Sequence, residues 1–250
     1  EGYPVLEEGL RGMLNNSPKK ILGRFTGHVP RTGELNPDLA HRALTGKDKE
    51  KKIAIDMELP PRPPALCKGC PHIDTYNALN AAKEEINSQV EVFSDIGCYT
   101  LGALPPYNAI KSCVDMGASI SMAKGAADSG LKYSVAVIGD STFGHSGMTP
   151  LIGAAQENTP MTVIILDNLT TAMTGGQKSM TSGDPLLKVL KGLGVNPDHI
   201  KVITPLPKNL EENTKIIKKE MEYDGLSVII ADRECIQTAR KSRPGKKKEK

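Results

Sequence analysis

The sequence predicts an α/β fold built on a mainly parallel sheet with helices on both faces. Three observations carry that expectation. Two continuous apolar runs, SVAVI (Ser134 to Ile138) and MTVIIL (Met161 to Leu166), have the length and β-branched content of strands buried on both faces. From about Cys67 onward, helical and strand patterns alternate, as in βαβ units. Each central run also opens into a polar, glycine-containing loop, which is where an open parallel sheet binds its ligands.

The elements follow in chain order. Residues 1–66 are rich in Gly, Pro and Lys and end in ELPPRPPAL (Glu58 to Leu66). They read as an extended arm and linker, with Pro60 to Pro64 as polyproline II, because each proline fixes φ and disfavours helix in its predecessor. The folded domain is expected over residues 67–239. It begins with a helix near Thr75 to Ile86, a strand at Val90 to Ser94 and a helix over about Cys113 to Ala127. After the two central strands come a strand near Lys201 to Thr204, a helix over Leu210 to Tyr223 and a last strand, Ser227 to Ala231. The run RKSRPGKKKEK at 240–250 reads as a solvated basic tail. No internal repeat is visible.

A length of 250 residues, 38% hydrophobic and 24% charged, is ordinary for a globular chain with a sizeable core. The net charge of +3 owes much to the tail, so no nucleic-acid partner is implied. No apolar stretch approaches the ~20 residues of a membrane span, and no basic segment precedes an apolar leader core. A cytoplasmic location follows as an expectation, and a first residue of Glu1 suggests a fragment or a processed product. Five cysteines, an odd number, do not resemble a secreted disulfide framework.

The loops GDSTFGHSG (Gly139 to Gly147) and DNLTTAMTGGQ (Asp167 to Gln177) leave the two central strands. Asp140 and Asn168 therefore converge from adjacent strand ends. One carboxylate, one amide oxygen and a backbone carbonyl leave an octahedral Mg²⁺ room for two diphosphate oxygens and a water. Glycines and a helix start suit phosphate. Taken alone, Gly-Asp after a strand is more often a turn with a helix cap, and the second polar loop changes that reading.

Cys67 and Cys70 form a CxxC, with Cys98 after the first strand and Cys235 after the last. Four such thiols suit either Zn²⁺ or a 4Fe-4S cluster, or remain free buried thiols; spacing does not separate these. Cys113 reads as core. His72 reads as a hydrogen-bonded structural histidine, and His145 as a weak candidate for a polar contact near a substrate.

Gly139-Asp140-Ser141 followed by Asn168 resembles the Gly-Asp-Gly…Asn motif of thiamine-diphosphate enzymes, with Ser141 in the last glycine's place. The strings LCKGCPH, DIGCYTLGALPP, MGASI, VIGDSTF and LDNLTTAMTGGQ resemble the thiamine-binding domain of the indolepyruvate ferredoxin oxidoreductase large subunit, within the wider 2-oxoacid:ferredoxin oxidoreductases, over roughly Pro63 to Arg240. The resemblance implies the thiamine-diphosphate-binding fold, with Asp140, Asn168 and the Thr170 carbonyl on Mg²⁺. It places Gly139, Ser141, Thr142 and Thr174 on the diphosphate, and Gly97, Cys98, Gly117, Ala118 and Ser119 toward the thiazolium and pyrimidine. It also implies a 4Fe-4S cluster on Cys67, Cys70, Cys98 and Cys235.

The chemistry so implied is attack on a 2-oxo acid, loss of CO₂, stepwise electron transfer to ferredoxin and acyl transfer to CoA. The activating glutamate is expected outside this chain, in a pyrimidine-binding domain or subunit, so a hetero-oligomer is expected. Two other readings stay open: a non-oxidative thiamine-dependent decarboxylase, and a Zn²⁺-binding scaffold without catalysis.

Overall fold

The computed structural model describes residues 5–48 and 63–242. The chain divides into two compact units, Glu1–Pro61 and Arg62–Lys250. The first carries α1 (Val5–Met13) and α2 (Pro37–Thr45), a departure from the extended arm that its composition suggested. Local chemistry explains α2: the Asn36 side chain accepts from the Leu39 N–H at 2.9 Å, Pro37 supplies a preset first turn, and Gly46 closes the helix at φ 71°. In the same unit the Glu7 carboxylate accepts from the Arg24 backbone N–H at 2.7 Å and from the Arg11 guanidinium at 2.9 Å. The expected polyproline run falls at 60–62 outside the described residues, as does the tail from 243 onward.

The second unit contains α3 (Pro71–Ile86), β1 (Val90–Ser94), β2 (Ser112–Cys113), α4 (Ala118–Asp128), β3 (Tyr133–Gly139), a short turn of helix α5 (Asp140–Thr142) and α6 (Met148–Gln156). There follow β4 (Met161–Asp167), a small ribbon of β5 (Thr170–Thr171) with β6 (Gln177–Lys178), α7 (Asp184–Gly192), β7 (Ile200–Ile203), α8 (Leu210–Met221), β8 (Leu226–Asp232) and α9 (Ile236–Ser242). The main sheet has the order β2-β1-β3-β4-β8-β7, and every pairing in it is parallel.

Alternation along the strands builds two cores, as a doubly covered sheet requires. Val135, Val137, Ile164 and Ile229 face Tyr76 and Leu79 of α3 and Ile217 of α8. Ala136, Ile138, Val163 and Ile230 face Ile120 of α4, Leu151 of α6 and Leu186 and Leu190 of α7. Each large aliphatic side chain so buried contributes roughly 1.5–3 kcal/mol. Among the described residues, no helix is long and apolar enough to cross a membrane.

Two local expectations need correction. The helix expected from Cys113 begins only at Ala118, because Gly117 sits at φ 90° and resets the chain, leaving Ser112 and Cys113 as an edge strand. Cys113 is accordingly exposed, not core. The helix α7 has no counterpart among the elements expected from the sequence, although Pro185 in its first turn and Leu186 and Leu190 on its buried face are ordinary helix signals.

The order of the strands positions the site. From β1 the chain moves outward to β2 and then returns across β1 to β3 and β4. The crevice of such a sheet opens beyond the carboxyl ends of β1 and β3, where the direction of winding reverses.

Candidate functional site

A cavity of ≈ 220 Å³ lies at that reversal. Its wall brings together Gly97 and Cys98 after β1, Gly139, Asp140, Ser141 and Thr142 after β3, and Asn168, Thr170 and Thr174 after β4. Ile96, Met116 and Met173 add an apolar rim. Gly117, Ala118 and Ser119 are not among the lining residues. The Gly117 N–H and Ser119 hydroxyl instead donate to Asp95 Oδ2, at 3.1 and 2.7 Å. His145 is exposed and pairs with the neighbouring Ser146 hydroxyl at 3.0 Å, away from the cavity wall.

Asp140 is the unusual group. It is 2% exposed, and its Oδ2 is buried without a hydrogen-bond partner. Burial pushes its carboxyl up to about 7, the neighbouring Asp167 carboxylate adds to the effect, and the Ser141 N–H opposes it. An unpaired buried acceptor carries a cost of a few kcal/mol unless something answers it. Asp167 differs, because its carboxylate accepts from the Gly183 N–H at 2.7 Å and the Leu169 N–H at 3.1 Å. It is therefore committed to shaping the loop, while Asp140 is left available.

Asn168 faces the same cavity from β4. Its Oδ1 accepts from the Thr170 N–H at 3.2 Å, and its Nδ2 lies 3.4 Å from His72 Nε2. The Ser141 hydroxyl, standing where the generic thiamine-diphosphate motif has glycine, bonds the Thr171 hydroxyl at 2.7 Å and so joins the two loops. Thr174 is held by Gln177 at 2.7 Å. An orphaned carboxylate oxygen, an amide oxygen and the Thr170 carbonyl are hard donors, and they fit a divalent cation of the Mg²⁺ class.

A second cavity of ≈ 150 Å³ adjoins the first, with His72, Cys98, Asn168 and Ala172 lining both. All four cysteines singled out in the sequence, Cys67, Cys70, Cys98 and Cys235, line this second cavity as free thiols. Burial, and then the other thiols, push Cys70 up to about 11, while the His72 backbone N–H works against that shift. Among the described residues, no group of three or more His, Cys, Asp or Glu is already arranged to hold a metal ion. The CxxC turn is closed by a 2.9 Å bond from the Cys70 N–H to the Cys67 carbonyl, with Gly69 at φ 82°. The Gln237 amide donates to Cys67 Sγ at 3.2 Å, and the Cys235 N–H donates to the Asn168 carbonyl at 3.1 Å.

Asp95 is a site residue that sequence reasoning missed. Fully buried, it accepts from the Tyr99 hydroxyl, Ser119 and Gly117. It thereby ties the end of β1 to the start of α4 behind the cavity. An acid closing a strand ahead of a glycine was its only advance signal.

The fold has counterparts among known proteins. The family described as thiamine pyrophosphate enzyme, C-terminal TPP binding domain, matches residues 95–231. The chain is similar to the indolepyruvate oxidoreductase subunit IorA of Methanothermobacter marburgensis, 35% identical over 233 residues that cover 86% of this chain and 37% of that protein. It is similar to the subunit of the same name in Pyrococcus horikoshii, 35% identical over 269 residues covering 93% and 40%. The chain thus spans about two fifths of the length of these relatives. A solved 2-oxoglutarate:ferredoxin oxidoreductase from Magnetococcus marinus shares the fold, with a TM-score of 0.58 at 20% identity over 76% of this chain and 74% of that one. With more than half of its 250 residues matched, the chain belongs to the thiamine pyrophosphate enzymes, through their C-terminal TPP-binding domain.

Proposed function

We propose that this chain is the thiamine-diphosphate-binding portion of a 2-oxo acid:ferredoxin oxidoreductase that works on aryl pyruvates such as indolepyruvate. The observation that carries the reading is the adjacency of two cavities, one holding the unpartnered Asp140 oxygen and the other lined by four thiols, with shared walls. Thiamine diphosphate supplies the electron sink for losing CO₂ from a 2-oxo acid, and a cluster beside it would take electrons singly.

This chain's own residues divide the labour. Asp140, Asn168 and the Thr170 carbonyl would hold Mg²⁺, and Gly139, Ser141, Thr142 and Thr174 would receive the diphosphate. Gly97 and Cys98 line the inner wall, with Gly117, Ala118 and Ser119 assigned to the same end of the cofactor through the Asp95 network. Cys67, Cys70, Cys98 and Cys235 would ligate a 4Fe-4S cluster. The apolar rim of Ile96, Met116 and Met173 would exclude water from the reacting end. Residues 67–239 would form the cofactor domain, with 1–66 leading into it and 240–250 as a tail. The activating glutamate, the ferredoxin contact and part of the CoA and substrate sites would come from a pyrimidine-binding domain or subunit, giving a hetero-oligomer in the cytoplasm.

The test is anaerobic purification of the assembled protein, followed by iron and sulfide analysis and a ferredoxin-reduction assay. Iron near four atoms per chain at this site, with reduction dependent on both an aryl pyruvate and CoA, is the expected result. Absence of reduction with any 2-oxo acid would refute the activity. Release of CO₂ from a 2-oxo acid without iron and without ferredoxin reduction would point instead to a non-oxidative decarboxylase.

A further inference from the structure

The reading above leaves His72 without a task, although it lies between the two cavities and lines both. It follows Pro71 at the start of α3, immediately after the CxxC turn, and is 2% exposed. Its backbone N–H acts on the Cys70 thiol, and its ring reaches the other way, Nε2 standing 3.4 Å from Asn168 Nδ2.

We propose that His72 is a positioning residue that holds the Asn168 side-chain amide with its NH₂ toward the imidazole and its oxygen on the side of the metal loop, so that the cysteine loop and the metal loop are set by one side chain. This rests on the cofactor reading of the site. The argument is one of donors and acceptors. Asn168 Oδ1 accepts from the Thr170 N–H at 3.2 Å, so the opposite arm of the amide is the NH₂ group, a donor only. Its neighbour must therefore accept, which requires a neutral imidazole with the proton on Nδ1. Flipping the amide would set two donors against each other at Thr170, so that contact selects the orientation and His72 Nε2 holds the amide in it by accepting. The carbonyl of the same Asn168 is held by the Cys235 N–H at 3.1 Å. Main chain and side chain of the metal residue are thus each anchored to the cysteine side of the site. The Tyr99 ring, edge-on to His72 with centroids 6.3 Å apart, limits rotation of the imidazole.

The experiment is a Mg²⁺ titration of the full chain, assembled with its partners, at saturating thiamine diphosphate and followed by calorimetry. Outer partners of metal ligands typically contribute about 10–100-fold to affinity. His72→Leu, which removes the acceptor, is expected to weaken Mg²⁺ by about that factor, and His72→Gln, which restores an acceptor oxygen, to recover most of the loss. A folded His72→Leu protein that binds Mg²⁺ within about twofold of wild type would overturn the proposal. Should His72→Leu not fold, ¹⁵N-histidine spectra of the wild type decide the matter. The Nδ1–H tautomer supports the proposal and the Nε2–H tautomer overturns it, since that nitrogen could not accept from Asn168. Failure of the wild type to bind Mg²⁺ and thiamine diphosphate at all is a separate outcome, and it overturns the cofactor reading together with this inference.

Discussion

The Arg233 guanidinium donates a 3.0 Å hydrogen bond to the carbonyl of Gly69, so the residue after the last sheet strand grips the middle of the CxxC turn. The same group pairs with Asp74 in the first turn of α3 and with the Pro205 carbonyl. A single half-buried cation thereby locates Cys67 and Cys70 relative to the strand end that leads to Cys235. Arg233→Met keeps the apolar stem and removes all three bonds. It is expected to cost about 1.5–3 kcal/mol of stability, the range for a hydrogen bond to a charged group, and to lower iron retained after anaerobic purification. Unchanged melting and full iron content would show that the clamp is dispensable.

Asp140 should show opposite effects on binding and on folding. Asp140→Asn removes the only carboxylate of the proposed metal set, and Mg²⁺-dependent binding of thiamine diphosphate is expected to fall more than about 100-fold. The same change replaces a buried carboxyl whose Oδ2 has no partner, so the unliganded protein is expected to gain about 1 kcal/mol. Groups retained for binding at the expense of stability behave in this way. Calorimetry and denaturant titration on one pair of proteins read both signs. Loss of stability in the unliganded variant would show that Asp140 is structural.

Asp95 offers a test with a pH dependence. Burial raises its carboxyl above the ordinary range, against the bonds from Tyr99, Ser119 and Gly117. The sign follows from linkage: with the folded value above the unfolded one, the folded state holds its proton longer. Stability from this group is complete below the unfolded value and declines as pH rises through the folded one. Asp95→Asn is expected to flatten that part of the stability–pH curve. Asp95→Leu, which leaves three donors unanswered, is expected to cost about 3 kcal/mol or more at any pH. Parallel curves for wild type and Asp95→Asn would mean that Asp95 does not titrate between the two states.

These residues also show what could be read in advance. Asp140 and Asn168 were legible because each follows a continuous apolar run, and parallel strands always deliver the residue after them to the same edge of the sheet. The four cysteines were legible as a set because each belongs to a short segment beside a strand or helix end. Asp95 was not, since its role depends on Gly117 and Ser119, which return to it only through the outward excursion to β2. Cys113 was misread because the left-handed Gly117 ends any continuous helical pattern there. The partner of His72 was hidden for the same reason as that of Asp95: Asn168 lies 96 residues away, and only the sheet order brings the two together.

Gln237 permits a test of the cysteine cavity that does not depend on turnover. It lies on α9, two residues past Cys235, and its amide donates to Cys67 Sγ at 3.2 Å. A donor to a ligating sulfur favours the more negative, reduced cluster and so raises its potential. One such bond contributes about 1 kcal/mol, or about 40 mV for a one-electron couple. Gln237→Leu should therefore lower the potential by up to about 40 mV, read by redox titration with electron paramagnetic resonance, while iron content stays at the wild-type level. A Glu at the same position would add negative charge beside the sulfur and should lower the potential further. If iron is bound and neither substitution moves the potential, Cys67 does not ligate the cluster through the sulfur that Gln237 touches, and the fourth ligand must be sought elsewhere in the cavity.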